Sequence, residues 1–160
     1  MNMTGQRPKR KETDEKLLGK NVLVFLNYGD AATELAPKWA LIGGQRSADY
    51  SATAEEIDVT DKTSGGYGDA EAGLKSTELS LELIVKPADE TVKELWKAFE
   101  ADEAVHILRW AKDGRSVINW YSITSMEETA GYDDAAILSV TLKGKGAPKT
   151  EDKMSDPRQV

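Results

Sequence analysis

The sequence contains no cysteine, which excludes disulfides and cysteine-ligated metal sites. It contains a single histidine, His106, so any triad or histidine-based metal site would have to rest on that one residue. His106 lies mid-strand between Val105 and Ile107, where a half-buried structural role is the simpler expectation. Long apolar runs are also missing. No stretch approaches the ~20 residues that cross a bilayer, and no segment has the charged and apolar regions of a signal peptide. The expectation is a protein soluble in the cytoplasm where it is made, with no membrane anchor.

Other motifs fail for lack of a part. Ser64-Gly65-Gly66 lacks the strand-to-helix setting of a nucleophile elbow. Gly65-Gly66-Tyr67-Gly68 lacks the Lys-Ser/Thr of a phosphate loop. Carboxylates are plentiful at Glu55, Glu56, Asp58, Asp61, Asp133 and Asp134, but their spacing fits no EF-hand, and an acid/base pair would need a cleft between two of them. Trp39, Trp96, Trp110 and Trp120 are expected in core packing rather than on a sugar-stacking platform. Trp110 and Trp120 fall on neighbouring strands, where they are placed to pair across a hairpin. The chain therefore shows no enzyme signature, no cofactor site and no metal site.

The 160 residues carry a net charge of −7, unevenly placed. The first sixteen positions are basic on balance, through Arg7, Lys9, Arg10, Lys11 and Lys16, and the last fourteen are balanced. The negative charge is thus concentrated in the middle, where an acidic surface repels phosphate. Neither end has the apolar content of a folded element. Residues 1–16 and 148–160 read as flexible tails around one domain at 17–147.

Within that domain, NVLVFL (Asn21–Leu26) is a strand apolar on both faces. Trp39–Ile42 is a second strand, broken at Gly43-Gly44. Ser47–Ile57 alternates weakly. LKSTELSLELIV (Leu74–Val85) alternates strictly, with Leu79, Leu81 and Leu83 on one face and Glu78, Ser80 and Glu82 on the other. A helix is predicted from Asp89 to Ala101, with Asp89 as N-cap and an apolar stripe of Val92, Leu95, Trp96 and Phe99. Three strands follow: Val105–Ala111, a two-residue turn at Asp113-Gly114, Val117–Met126 and Ile137–Leu142. The pattern implies a mainly β (α+β) fold of two packed antiparallel sheets, sandwich- or barrel-like, with one flanking helix.

Thr60–Gly73 stands out as a long mobile loop. It holds Gly65, Gly66, Gly68 and Gly73 beside Asp61, Asp69 and Glu71, and Tyr67 is its only large side chain. A structureless loop longer than ~12–15 residues in a compact domain is usually functional or disordered.

This stretch also carries a family resemblance. IGGQRSADYSATAEEIDVTDKTSGGY, the following GLKS of Gly73–Ser76, and SITSMEETAGYDDAAILSVTLKGKG near the C-terminus resemble the major tail (tail tube) protein of long-tailed bacteriophages, in its TP901-1-like group. The resemblance spans roughly Gly19 to Gly146. It implies a structural virion protein that polymerises into stacked hexameric rings, a conduit for DNA ejection into the host, with other tail proteins at the tube ends. DNA would pass through without specific binding. The wet strand faces Glu78, Ser80, Glu82 and Ser139, Thr141, Lys143 are then expected to line the lumen. The loop is expected to order only against the next ring, with Tyr67 as anchor and Asp61, Asp69 and Glu71 meeting basic residues. Two rival classes remain at this point: a monomeric β-sandwich binding module for carbohydrate or protein, and a small acid/base enzyme on a β-barrel.

Overall fold

The computed structural model describes Gly5 and residues 17–158. The expected N-terminal tail, with its basic cluster, lies outside the described residues, Gly5 apart. A 3-10 turn at Gly19–Asn21 leads into β1 (Val22–Asn27), β2 (Trp39–Leu41), β3 (Gln45–Asp58), β4 (Ala70–Ile84), α1 (Glu90–Glu100), β5 (Val105–Ala111), β6 (Ser116–Thr129) and β7 (Ile137–Glu151). The strands form one antiparallel sheet in the order β2-β1-β5-β6-β7-β4-β3.

Two packed sheets were expected, and the hydrogen-bond ladder is instead continuous. The reason lies in β6. Its first part pairs with β5 as far as Tyr121, while its whole length pairs with β7. Register shifts between Ile118 and Trp120 and between Ile123 and Ser125 bend a strand without interrupting it. The sheet therefore curls over its own core while staying open. Where β1 and β3 meet, the Gln45 carboxamide replaces a ladder: Oε1 accepts from the Val24 N–H at 2.9 Å and Nε2 donates to the Val24 carbonyl at 2.7 Å. The Gly43-Gly44 break is required there. Gly44 has φ +75°, and a Cβ on it would lie 2.1 Å from the Ile84 carbonyl oxygen.

The inner face carries the core. Leu79, Leu81 and Leu83 of β4 and Leu138, Val140 and Leu142 of β7 meet Val24, Leu26 and Ile107 across the curl, with Tyr121 of β6. Helix α1 closes it. The Asp89 carboxylate caps the helix by accepting from the Thr91 N–H at 3.0 Å. The buried stripe is Thr91, Val92, Leu95 and Ala98, rotated from the expected one. Trp96 is half-buried and Phe99 exposed, edge to face with each other at 6.4 Å.

A second apolar cluster lies on the opposite face of β1 and β5: Phe25, Leu108 and Trp110, joined by Met154. Both-face burial of β1 follows. It also involves the C-terminal segment, which was expected to be a tail. β7 runs to Glu151, not Leu142. Beyond it, Met154 donates its N–H to the Gly114 carbonyl (2.8 Å) and accepts from Trp110 Nε1 (2.9 Å). Pro148 falls in the irregular register between Trp120↔Lys145 and Ile118↔Lys149, where a missing N–H leaves no gap in the ladder.

Two smaller differences concern the β5–β6 hairpin. Its connection is Lys112-Asp113-Gly114, closed by the Ala111 N–H to the Arg115 carbonyl at 2.9 Å, with Gly114 at φ +101°. That register sets Trp110 opposite Ser116 and Trp120 opposite His106, so the expected Trp110–Trp120 pair does not form.

Candidate functional site: a polar sheet face and a projecting hairpin

Strand alternation puts the polar residues of β4 opposite its buried leucines, and pairing then aligns them with β7. Glu78 lies opposite Lys143, Ser80 opposite Thr141, and Glu82 opposite Ser139. All six residues proposed from the sequence for one wet surface therefore share one sheet face. The register extends that face to both sides. Ser51, Asp49 and Ser47 of β3 lie opposite Glu78, Ser80 and Glu82, and Ser122, Ser125 and Glu127 of β6 lie opposite Lys143, Thr141 and Ser139. The result is a four-strand polar face of short hydroxyl side chains and charges.

Its electrostatics differ from a simple acidic row. Glu78 is paired with Lys143, and Glu82 with Arg46 at 3.4 Å. The carboxylates on this face outside those ion pairs are Asp49 and Glu127, neither of which the sequence reading singled out. For β6 the signal was hidden, because the shift between Ile123 and Ser125 puts Ser122 and Ser125 on one face at a spacing of three.

Two edges of this four-strand unit have no strand partner among the described residues. One is the outer edge of β3, and the other is β6 beyond Tyr121, where β5 has ended.

The second feature is the β3–β4 hairpin. Pairing continues to Asp58↔Ala70, and every residue of β3 from Ser51 to Asp58 is exposed, so the hairpin extends past the core. The loop expected over Thr60–Gly73 is correspondingly shorter. Ala70–Gly73 belongs to β4, and the connection is Val59–Asp69. It hydrogen-bonds itself instead of lacking internal contacts. Val59 N–H donates to the Asp69 carbonyl at 3.0 Å, and the Asp69 N–H donates to Thr60 Oγ1 at 2.8 Å. The Asp61 carboxylate accepts from the Thr63 N–H at 2.8 Å and from its hydroxyl at 2.6 Å. Short polar side chains of this kind stabilise turns without apolar burial. Hydrogen bonds from Thr63 hold the Asp61 carboxyl below the usual carboxylate range, and those from Thr60 do the same for Asp58.

Of the four proposed contact residues, Asp61 is thus a turn cap and Asp69 closes the loop. Glu71 stands in β4 opposite Ile57. Tyr67 is 82% exposed at the tip.

Elsewhere, His106 is buried beside Trp39 and Trp120. Tyr121, inside the curl, has its hydroxyl pushed up to about 12 by burial. Among the described residues no group of three or more Asp, Glu or His side chains could hold a metal ion. No helix among them is long and apolar enough to cross a membrane.

The family model for phage tail tube proteins matches residues 16–150. No curated protein sequence matches the chain. Among solved structures, the fold is similar to the tail of an empty gene transfer agent particle refined helically with C6 symmetry, at TM-score 0.75 and 23% identity over 85% of this chain and 99% of that one. It is similar to the SPP1 tail tube at TM-score 0.73 and 15% identity, over 91% and 87%. The baseplate of the anti-feeding prophage has a chain similar at TM-score 0.62 and 12% identity, over 92% and 97%.

Proposed function

The chain belongs to the phage tail tube protein family, and on that premise we propose that its copies close into six-membered rings that stack into a hollow conduit for DNA. It is a structural protein of the virion tail. The observation that carries the ring is the four-strand polar face with its two free edges. An exposed edge is a template for pairing with another chain. Edge β3 of one copy joins the free length of β6, Ser122–Thr129, in the next, and a head-to-tail contact repeated by rotation closes a ring. The polar face then continues from copy to copy and lines the bore, with Glu78, Ser80, Glu82, Ser139, Thr141 and Lys143 facing the lumen. The curled sheet supplies the two layers of the wall, and α1 lies on its outer side. The domain extends past residue 147, through the end of β7 at Glu151 to Met154 on Trp110.

A bore lined by hydroxyls, ion pairs and the carboxylates of Asp49 and Glu127 offers phosphate no net attraction. The projecting hairpin contacts the next ring. Tyr67 is its anchor, since an aromatic ring with a polar tip suits a partly buried interface, and Asp61, Asp69 and Glu71 meet basic residues there. Other tail proteins cap the two tube ends.

The test uses the absence of native cysteine. Ser80→Cys and, as an outer-wall control, Lys93→Cys on α1 are assembled into tubes verified by electron microscopy. A small maleimide should label both, and a bulky polymer-linked maleimide should label only Lys93→Cys. Equal labelling of both by the bulky reagent places the polar face on the outer wall. Dispersed subunits at every concentration would instead favour a monomeric binding module.

A further inference from the structure

We propose that His106 is a proton-sensitive pin for the segment from Tyr28 to Lys38, which it holds through the side chain of Asn27. Asn27 ends β1, and its carboxamide fastens both limbs of the connection to β2. Its Oδ1 accepts from the Lys38 N–H at 2.9 Å, and its Nδ2 donates to the Thr33 carbonyl at 2.9 Å. Those two main-chain partners fix which end of the amide is nitrogen, because an N–H can face only the oxygen and a carbonyl only the nitrogen. The same Nδ2 lies 3.0 Å from His106 Nδ1. His106 Nδ1 is therefore the acceptor, and the imidazole is neutral with its proton on Nε2.

Protonation of Nδ1 sets a donor against a donor. Turning the Asn27 amide to offer its oxygen to the imidazolium places Nδ2 against the Lys38 N–H and withdraws the donor from the Thr33 carbonyl. No orientation of the amide serves the charged ring and both limbs together. The imidazole has little room to move away. It is 7% exposed, stacked on Trp120 at 4.7 Å between ring centroids and tilted against Trp39 at 5.2 Å.

Charged groups of both signs surround it. Glu34 from the segment itself favours the imidazolium, and Lys149 of β7 opposes it. Glu94 of α1 and Glu103 line the same small cavity. Burial is the largest influence and holds the imidazole below its ordinary value. With a folded value below the unfolded one, the pinned state is complete above about pH 6.5 and weakens as pH falls below it.

The pinned segment presents Leu35, 95% exposed, on a turn closed by the Ala36 N–H to Thr33 Oγ1 at 2.9 Å. Acidification thus changes the shape of one exposed apolar tip while the core remains intact. All of these contacts lie within one chain, so the pin needs no tube.

The test is amide exchange on the full chain from pH 8 to pH 5, with each rate divided by the unprotected rate at the same pH. The Lys38 and Ala36 amides should lose up to about tenfold in protection per pH unit below about 6.5, while core amides such as Leu81 hold. The loss should begin near pH 6.5 and level off below the titration of the folded imidazole followed by NMR. In His106→Phe, which keeps the stack without the proton, Lys38 protection should be independent of pH over this range. Unchanged Lys38 protection in the native chain while the imidazole titrates overturns the pin. Loss of protection that persists in His106→Phe also overturns it, and assigns the effect to the carboxylates.

Discussion

At the scale of single residues, Gln45 does the work of a missing strand. Its amide bonds the Val24 N–H and carbonyl, and also the Ile42 carbonyl at 2.6 Å. Gln45→Ala takes the partner from the partly buried Val24 N–H, while the Val24 carbonyl still accepts from the Ile42 N–H at 3.2 Å, and such an orphan costs about 1–3 kcal/mol. Urea denaturation should show a loss of about 2 kcal/mol with an unchanged m-value. A loss within error of zero would mean that water replaces the amide and the seam is wet. Nothing in the sequence marks this residue. It follows Gly43-Gly44, where it reads as turn, and its partner Val24 lies in another strand, paired through no local pattern. Asn27 is hidden in the same way, since Asn27-Tyr28-Gly29-Asp30 shows only turn chemistry. Asp89 was visible, because an N-cap acts on the helix that immediately follows it.

At the scale of elements, α1 and the β3–β4 hairpin make opposite demands. In α1 the rotation of the stripe decides which side chain matters. Leu95 is fully buried and Trp96 only half, so Leu95→Ala should cost about 2–5 kcal/mol and Trp96→Ala distinctly less. Urea midpoints give the order, and a reversed order would restore the stripe read from periodicity. That reading used a spacing in which both rotations keep Val92 and Leu95. Only the approach of the sheet chooses Thr91 and Ala98 over Trp96 and Phe99. The hairpin beyond Thr53↔Ser76 touches little of the core. Joining Thr53 to Ser76 by Asn-Gly, a two-residue turn suited to a hairpin, should leave the thermal midpoint nearly unchanged and abolish tubes in electron micrographs. Tubes of normal length from the shortened chain would remove the hairpin from the ring-to-ring contact.

At the scale of the whole molecule, net charge of −7 says that phosphate is repelled, and the fold says where this matters. Glu78 and Glu82 are matched by Lys143 and Arg46, so the proposed bore depends on Asp49 and Glu127 for its excess negative charge. Native tubes should not retard duplex DNA in a gel at about 150 mM salt, where charges beyond ~8 Å are screened. Tubes of Asp49→Lys/Glu127→Lys should retard it, and more strongly at lower salt. If this double variant forms tubes that still leave DNA free, lumen charge is not what keeps the passage clear.

What the sequence determined by itself is the set of elements whose cause is local. Strict alternation in LSLELI assigns the two faces of β4, the apolar run VHILRWA gives β5 its observed bounds of Val105–Ala111, and Asp89 starts α1. Each depends on residues a few positions apart, whose periodicity survives whatever the rest of the chain does. Tertiary structure alone decided what is paired across distance. It set Glu78, Ser80 and Glu82 against Lys143, Thr141 and Ser139, made one curled sheet where two were expected, and carried β7 past Pro148 to Glu151. Those outcomes turn on register, which the bulges in β6 and the irregular stretch before Lys149 reset by one or more residues. A shift of one residue exchanges the faces of a strand, and no local pattern records where such a shift falls.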